Sequence, residues 1–160
     1  MVKTLLQIVI AVIVFLLFNA YQQRDMLPTS EHQPAPYFSL PQLNSAERIS
    51  LAAFRGQKVV VYFFAPWCNV CRYSMPNLNK LYEQQQVNAV AIALDYENKA
   101  QISAFVADLK LSLPILLGNE NIAANYRIRA YPSYYVIDES GNIIQRDMGY
   151  STELGLRLRM

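Results

Sequence analysis

Lys58–Cys71 reads KVVVYFFAPWCNVC. From Val59 to Phe64 it is an unbroken run of β-branched and aromatic residues, the pattern of a central strand buried on both faces. Ala65-Pro66-Trp67 ends that run. Cys68 to Gln86 then has helical composition, with Pro76 expected to kink the helix. Cysteines at i and i+3 at the start of a helix share one turn and are close enough for a disulfide. Amide groups and the dipole at a helix N-terminus favour negative charge, so they stabilise the thiolate that attacks. Cys68 is therefore read as the nucleophile. Cys71, one turn further in, is read as the resolving thiol that attacks a mixed disulfide on Cys68.

Two blander readings compete. A purely structural disulfide across two residues would constrain little chain and stabilise little. Half of a metal site would need a second pair of ligands, but the sequence has two cysteines and one histidine, His32. They cannot make an ordinary four-ligand zinc site without two acidic residues. Redox chemistry is the preferred reading, with no metal site and no cofactor beyond the redox-active Cys68–Cys71 disulfide. Two cysteines are also too few for a disulfide-stapled secreted scaffold. The chain is 53% hydrophobic and 16% charged, with a formal net charge of +2, which gives no footprint for nucleic acid.

Downstream, Val87–Leu94 is a second apolar run expected to be a strand. Ala100, Ile102, Phe105, Val106 and Leu109 fall near helical spacing. Leu113–Leu117 should be a short strand and Asn119–Tyr126 a short helix. Ser133–Asp138 and Asn142–Met148 flank Glu139-Ser140-Gly141, a hairpin signal. Ser151 or Thr152 can cap a last helix carrying Leu154, Leu156 and Leu158. Upstream, Phe38–Leu40 and Arg48–Leu51 suggest a hairpin. Strands alternating with helices and ending in a hairpin and a helix imply an α/β sandwich.

The N-terminus has a different character. Leu5–Phe18, LLQIVIAVIVFLLF, follows Lys3. It fits a short spanning helix or the apolar part of a signal peptide. Cleavage after Ala20 would put Phe18 where a small residue is wanted, so an uncleaved anchor is expected. The reading is a cytoplasmic tail at 1–4, a transmembrane signal-anchor at 5–20, a polar, Pro-containing linker at 21–36 and a folded domain at 37–160. A short tail bearing Lys3 stays in the cytoplasm, which puts the domain on the periplasmic side of the cytoplasmic membrane as a single-pass protein.

Trp67-Cys68-Asn69-Val70-Cys71 resembles the active site of thioredoxins, especially the membrane-anchored TlpA/ResA-like branch. The likeness covers about residues 36 to 158. Pro76, five residues after the second cysteine, matches that branch's helix proline. Arg129–Asp138, RAYPSYYVID, is similar to its cis-proline segment and following strand, and Gly141-Asn142-Ile143-Ile144 to its hairpin. Val87–Leu117 resembles the branch's extra strand–helix insertion. The resemblance implies a thioredoxin fold: a three-layer α/β/α sandwich with a mixed central sheet, an N-terminal hairpin and that insertion. It implies that Pro132 is cis and packs beside Cys68. Tyr131 would offer backbone hydrogen bonds to an extended substrate, and Trp67 would cover the disulfide and meet partners.

The sequence departs from the family pattern at three places. The Asn69-Val70 pair between the cysteines differs from the familiar pairs, which help to set the redox potential in the family, so oxidant or reductant is not read from it. Tyr62 stands where many thioredoxins carry a buried Asp, and Ser74 where many TlpA/ResA-like proteins carry Glu. Asp95 and Glu97, at the end of a predicted strand, are the candidates for proton transfer instead; a solvated loop is the competing reading.

The function implied is disulfide reduction in proteins. Electrons would come from a membrane thiol transporter and pass to oxidised substrate proteins such as apocytochrome c. Net oxidation or isomerisation is the alternative within the same chemistry, and a copper-handling protein of thioredoxin fold is an alternative outside it. A peroxidase of related fold would need a threonine ahead of its reactive cysteine, and Phe63-Phe64-Ala65-Pro66 offers none.

Overall fold

The computed structural model describes residues 2–29 and 33–160. His32, the histidine weighed for the copper reading, lies outside them. The chain runs α1 (Val2–Gln23), β1 (Ser39–Pro41), β2 (Arg48–Ser50), a 3₁₀ turn (Leu51–Phe54), β3 (Val59–Phe64), α2 (Asn69–Glu83) and β4 (Asn88–Ala93). It continues through α3 (Lys99–Asp108), β5 (Ile115–Leu117), α4 (Glu120–Asn125), β6 (Ser133–Ile137), β7 (Ile143–Met148) and α5 (Glu153–Arg159).

Five strands form a mixed sheet in the order β5-β4-β3-β6-β7. β3 pairs in parallel with β4, and β4 with β5, whereas β6 is antiparallel to both β3 and β7. β3 is central and every one of its residues is buried, as its unbroken apolar run requires. Because successive side chains point to opposite faces, it supplies both halves of the core. Val60, Tyr62 and Phe64 join Met75, Leu78 and Leu81 of α2, Ile102 and Phe105 of α3 and Leu156 of α5. Val59, Val61 and Phe63 join Phe38, Leu40, Ile122 and Tyr126 on the opposite face. The arrangement is the thioredoxin fold, with the β1–β2 hairpin ahead of it.

Local chemistry accounts for the helix starts. The side chains of Asn98, Asn119 and Thr152 accept the backbone N–H of Gln101, Ile122 and Gly155 at the first turns of α3, α4 and α5. Of the two candidates for the last cap, Thr152 takes the position. Pro76 lies inside α2, which runs on to Glu83.

The N-terminal expectations require correction. Among the described residues no helix is long and apolar enough to cross a membrane. At about 1.5 Å per residue, Leu5–Phe18 extends roughly 21 Å, short of a hydrocarbon core of about 30 Å. Beyond it α1 continues into Asn19, Gln22 and Gln23. The single-pass anchor at 5–20, and the placement of the domain across a membrane that rested on it, are therefore not supported.

Nor is 21–36 a free linker. Met26, Leu27 and Ala35 are buried in the second core cluster. Gln23 donates to Asp147 Oδ1 at 2.9 Å, and Arg146 donates to the carbonyls of Met26 and Leu27, each at 2.7 Å. The Leu27 N–H donates to the Tyr135 hydroxyl at 3.1 Å, and the Tyr126 hydroxyl to the Pro36 carbonyl at 2.7 Å. Its described residues, 21–29 and 33–36, form a strap tied to β6 and β7.

Candidate active site

β3 delivers the chain to the site. After Phe64, the Cys68 N–H donates to the Ala65 carbonyl at 3.0 Å, closing a turn that sets Cys68 as the N-cap of α2. N-cap side chains accept from the free amides of the first turn. Here the acceptor is sulfur: the Cys71 N–H donates to Cys68 Sγ at 3.1 Å. The two cysteines are joined in a disulfide, with Cα atoms 5.3 Å apart. Cys68 keeps 5% of its surface exposed and Cys71 none, so an incoming thiolate or disulfide has access to Cys68 alone.

Trp67, the residue before Cys68, gathers Tyr131 and Asp95 beside it. Trp67 is 64% exposed. Its ring meets Tyr131 edge to face, with centroids 5.7 Å apart. Its indole N–H donates to the Asp95 carbonyl at 3.0 Å, and the Tyr131 hydroxyl donates to Asp95 Oδ2 at 3.0 Å. Burial first, then the Asp95 carboxylate, pushes the Tyr131 phenol well above its ordinary pKa, so it remains a donor. The Tyr131–Pro132 peptide bond is cis, the isomer that the resemblance implied. Pro132 is buried, and its carbonyl accepts the Gly149 N–H at 2.8 Å.

Glu97 lines one groove with Trp67 and Asp95, but among the described residues it makes no hydrogen bond to either of them. Its carboxylate accepts from the Gln101 side chain at 3.1 Å. Among the described residues, no hydrogen bond joins Asp95 or Glu97 to either cysteine. On the far wall of the same groove Arg72 pairs with Asp108 and lies over the Phe105 ring, which stacks on Phe64.

Tyr62 belongs to the core cluster that holds the disulfide, on the α2-facing side of β3, and Ser74 lies on α2 itself; both are fully buried. The Ser74 hydroxyl accepts the Ser151 N–H at 3.2 Å. The Tyr62 hydroxyl has no hydrogen-bond partner of good geometry. Burial drives its pKa far up against a smaller lowering from Ser74 beside it. The tyrosine is thus a neutral hydroxyl at any ordinary pH and cannot act as a carboxylate base there.

No local pattern announces the polar cluster further along the sheet. Asp147 is 8% exposed, pairs with Arg159 at 3.1 Å and accepts from the Tyr134 hydroxyl at 3.3 Å. In sequence Asp147 is one acid in a polar hairpin strand. Only the β6–β7 register, which sets it opposite Tyr134, reveals it.

The AhpC/TSA family model matches residues 32–146. The chain belongs to the AhpC/TSA family. Within it, the chain is 33% identical over 141 residues to the thioredoxin-like protein YneN of Bacillus subtilis, covering 86% of this chain and 82% of that one. It is 32% identical to the thiol–disulfide oxidoreductase ResA of Bacillus cereus, covering 74% of this chain and 70% of the other. A thiol:disulfide interchange protein of the thioredoxin family from Chlorobium tepidum superposes with a TM-score of 0.73 at 22% identity, over 82% of this chain and 96% of that one. StoA from Bacillus subtilis superposes at 0.68 and 24% identity, over 82% and 98%. At those identities the two structures speak for the fold. This AhpC/TSA member is a thiol–disulfide oxidoreductase of the ResA-like branch, with its cysteine pair at Cys68 and Cys71.

Proposed function

We propose that the protein reduces disulfides in other proteins by dithiol–disulfide exchange, with Cys68 as nucleophile and Cys71 as resolving thiol. The observation that carries the proposal is the asymmetry of the pair: Cys68 caps α2 at the surface and Cys71 is sealed beneath it. In the reduced protein the Cys68 thiolate attacks one sulfur of a substrate disulfide. One substrate thiolate leaves and takes a proton from solvent. The Cys71 thiolate then attacks Cys68 Sγ, which releases the second substrate thiol and leaves Cys68–Cys71 oxidised. A dithiol donor returns two electrons and two protons for the next cycle. Apocytochrome c, with its paired cysteines, is a substrate of the required chemistry.

The reducing direction is supported by how little holds a thiolate at Cys68. Among the described residues its Sγ accepts one backbone amide and no cationic side chain. Strong oxidants depend on heavy stabilisation of the reduced thiolate. Equilibration against dithiothreitol and glutathione buffers tests this. The expected potential is nearer to thioredoxin's roughly −270 mV than to the roughly −120 mV of a dedicated oxidant. A value at the oxidising end would reverse the assigned direction.

A further inference from the structure

We propose that Asp95 is a positioning residue that locks the two aromatic walls of the exchange site, Trp67 and Tyr131, into one rigid edge. The inference rests on the exchange chemistry above and says what organises the surface on which the substrate lies.

The backbone supplies the first reason. Among the described residues four non-glycines have positive φ: Gln85, Asp95, Lys110 and Arg127. Gln85, Lys110 and Arg127 follow the ends of α2, α3 and α4, where a left-handed residue is the usual helix stop. Asp95 follows a strand, β4, and has φ of 47°. Asp and Asn tolerate that region better than other side-chain-bearing residues. From this turn Asp95 makes both bonds at once: its carbonyl takes the Trp67 indole N–H, and its carboxylate takes the Tyr131 hydroxyl.

The partners supply the second reason. Trp67 immediately precedes Cys68, and Tyr131 immediately precedes Pro132. The two rings touch edge to face, with an interplanar angle of 82°. With Trp67 so largely exposed, ring contact alone leaves it free to turn about its side-chain bonds. The carbonyl bond fixes the indole and the carboxylate bond fixes the ring against which it rests. A substrate then meets a preformed edge and does not lose the free energy of ordering it.

Trp67 is the single tryptophan of the sequence, so its fluorescence reports this wall alone. Acrylamide quenching and fluorescence anisotropy of the oxidised protein would be measured for wild type, Asp95→Ala, Asp95→Asn and Tyr131→Phe, alongside KM and kcat for insulin reduction. Asp95→Ala keeps the carbonyl but removes the carboxylate bond and places alanine at a φ it rarely adopts, so the turn that aims the carbonyl relaxes. It should loosen the indole and raise KM roughly three- to tenfold, the factor for one hydrogen bond, with a smaller change in kcat. Tyr131→Phe, which removes only the carboxylate bond and leaves the carbonyl–indole bond, should raise KM in the same direction with a smaller change in Trp67 mobility. Asp95→Asn should restore them, since its amide oxygen accepts and its backbone tolerates the turn. Unchanged Trp67 mobility in Asp95→Ala, or unchanged KM in Tyr131→Phe, would overturn the proposal. So would a freed indole with unchanged KM, or an Asn variant as defective as Ala. The fluorescence needs no turnover. A wild type that fails to reduce insulin would therefore count against the exchange function while the lock is still read separately.

Discussion

The Cys71 amide donates to Cys68 Sγ across the first turn of α2, the same turn that the disulfide closes. When the disulfide opens, that amide is already aimed at the sulfur that becomes the thiolate. Cys68→Ser removes the attacking atom, and reduction of a protein disulfide should fall to the uncatalysed rate. Cys71→Ser should still attack, then stall as a covalent complex visible on non-reducing gels and released by dithiothreitol. Turnover by Cys68→Ser at the wild-type rate would assign the chemistry to another group.

Tyr62 presents a separate prediction about stability. Its ring lies nearly parallel to Tyr134, 12° between planes, inside the core, while its hydroxyl is buried without a partner. An unsatisfied buried hydroxyl costs about 1–3 kcal/mol. Tyr62→Phe keeps the ring and deletes the hydroxyl, so unfolding should become harder by about 1 kcal/mol, read as a higher urea midpoint at unchanged slope. A loss of stability would show that the hydroxyl is bonded after all, with Ser74 the group to test next.

The N-terminal strap separates two truncations. Removing residues 1–22 keeps Gln23 and its bond to Asp147, along with Met26 and Leu27 in the core. That protein should unfold close to the full chain. Removing residues 1–36 strips Met26, Leu27 and Ala35 from the core and leaves the Arg146 guanidinium without its two carbonyls. The loss should reach at least about 3 kcal/mol, since each large apolar side chain contributes about 1.5–3 kcal/mol by burial. Equal stability of the two truncations would contradict the strap.

These cases show what the sequence could and could not disclose. The β3–α2 unit was legible because its signals are local: an apolar run, a break, and cysteines three apart. The hairpin at Glu139–Gly141 and the cap of α5 were legible for the same reason. The strap was not, because Leu27 and Met26 are held by Tyr135 and Arg146, 108 and 120 positions away, within a stretch whose composition reads as linker. The apolarity of Leu5–Phe18 was plain, but it states an environmental preference and not a span, and the span is what fails. Asp95 was singled out for its carboxylate. Its bonds to Trp67 and Tyr131 depend on a left-handed turn after a strand, which no local pattern announces.

The buried tyrosines set an alkaline limit. Burial raises the phenols of Tyr62, Tyr126, Tyr131, Tyr134 and Tyr135 above their ordinary value of 10.0, with Tyr134 pushed up to about 12. A raised folded-state pKa means that the folded chain holds its protons longer than the unfolded chain. The contribution is therefore complete below pH 10 and is lost as pH climbs from there through the folded-state values. Between those limits the unfolded state has released protons that the folded state still binds, so stability falls with rising pH. Phenolate absorbance and far-ultraviolet ellipticity would be followed together from pH 9 upward. The expected result is a cooperative rise in phenolate coinciding with loss of ellipticity above pH 10, because these phenols ionise by unfolding the protein. Smooth ionisation of all eleven tyrosines around pH 10 with the fold intact would mean that the core is open to solvent at the sheet.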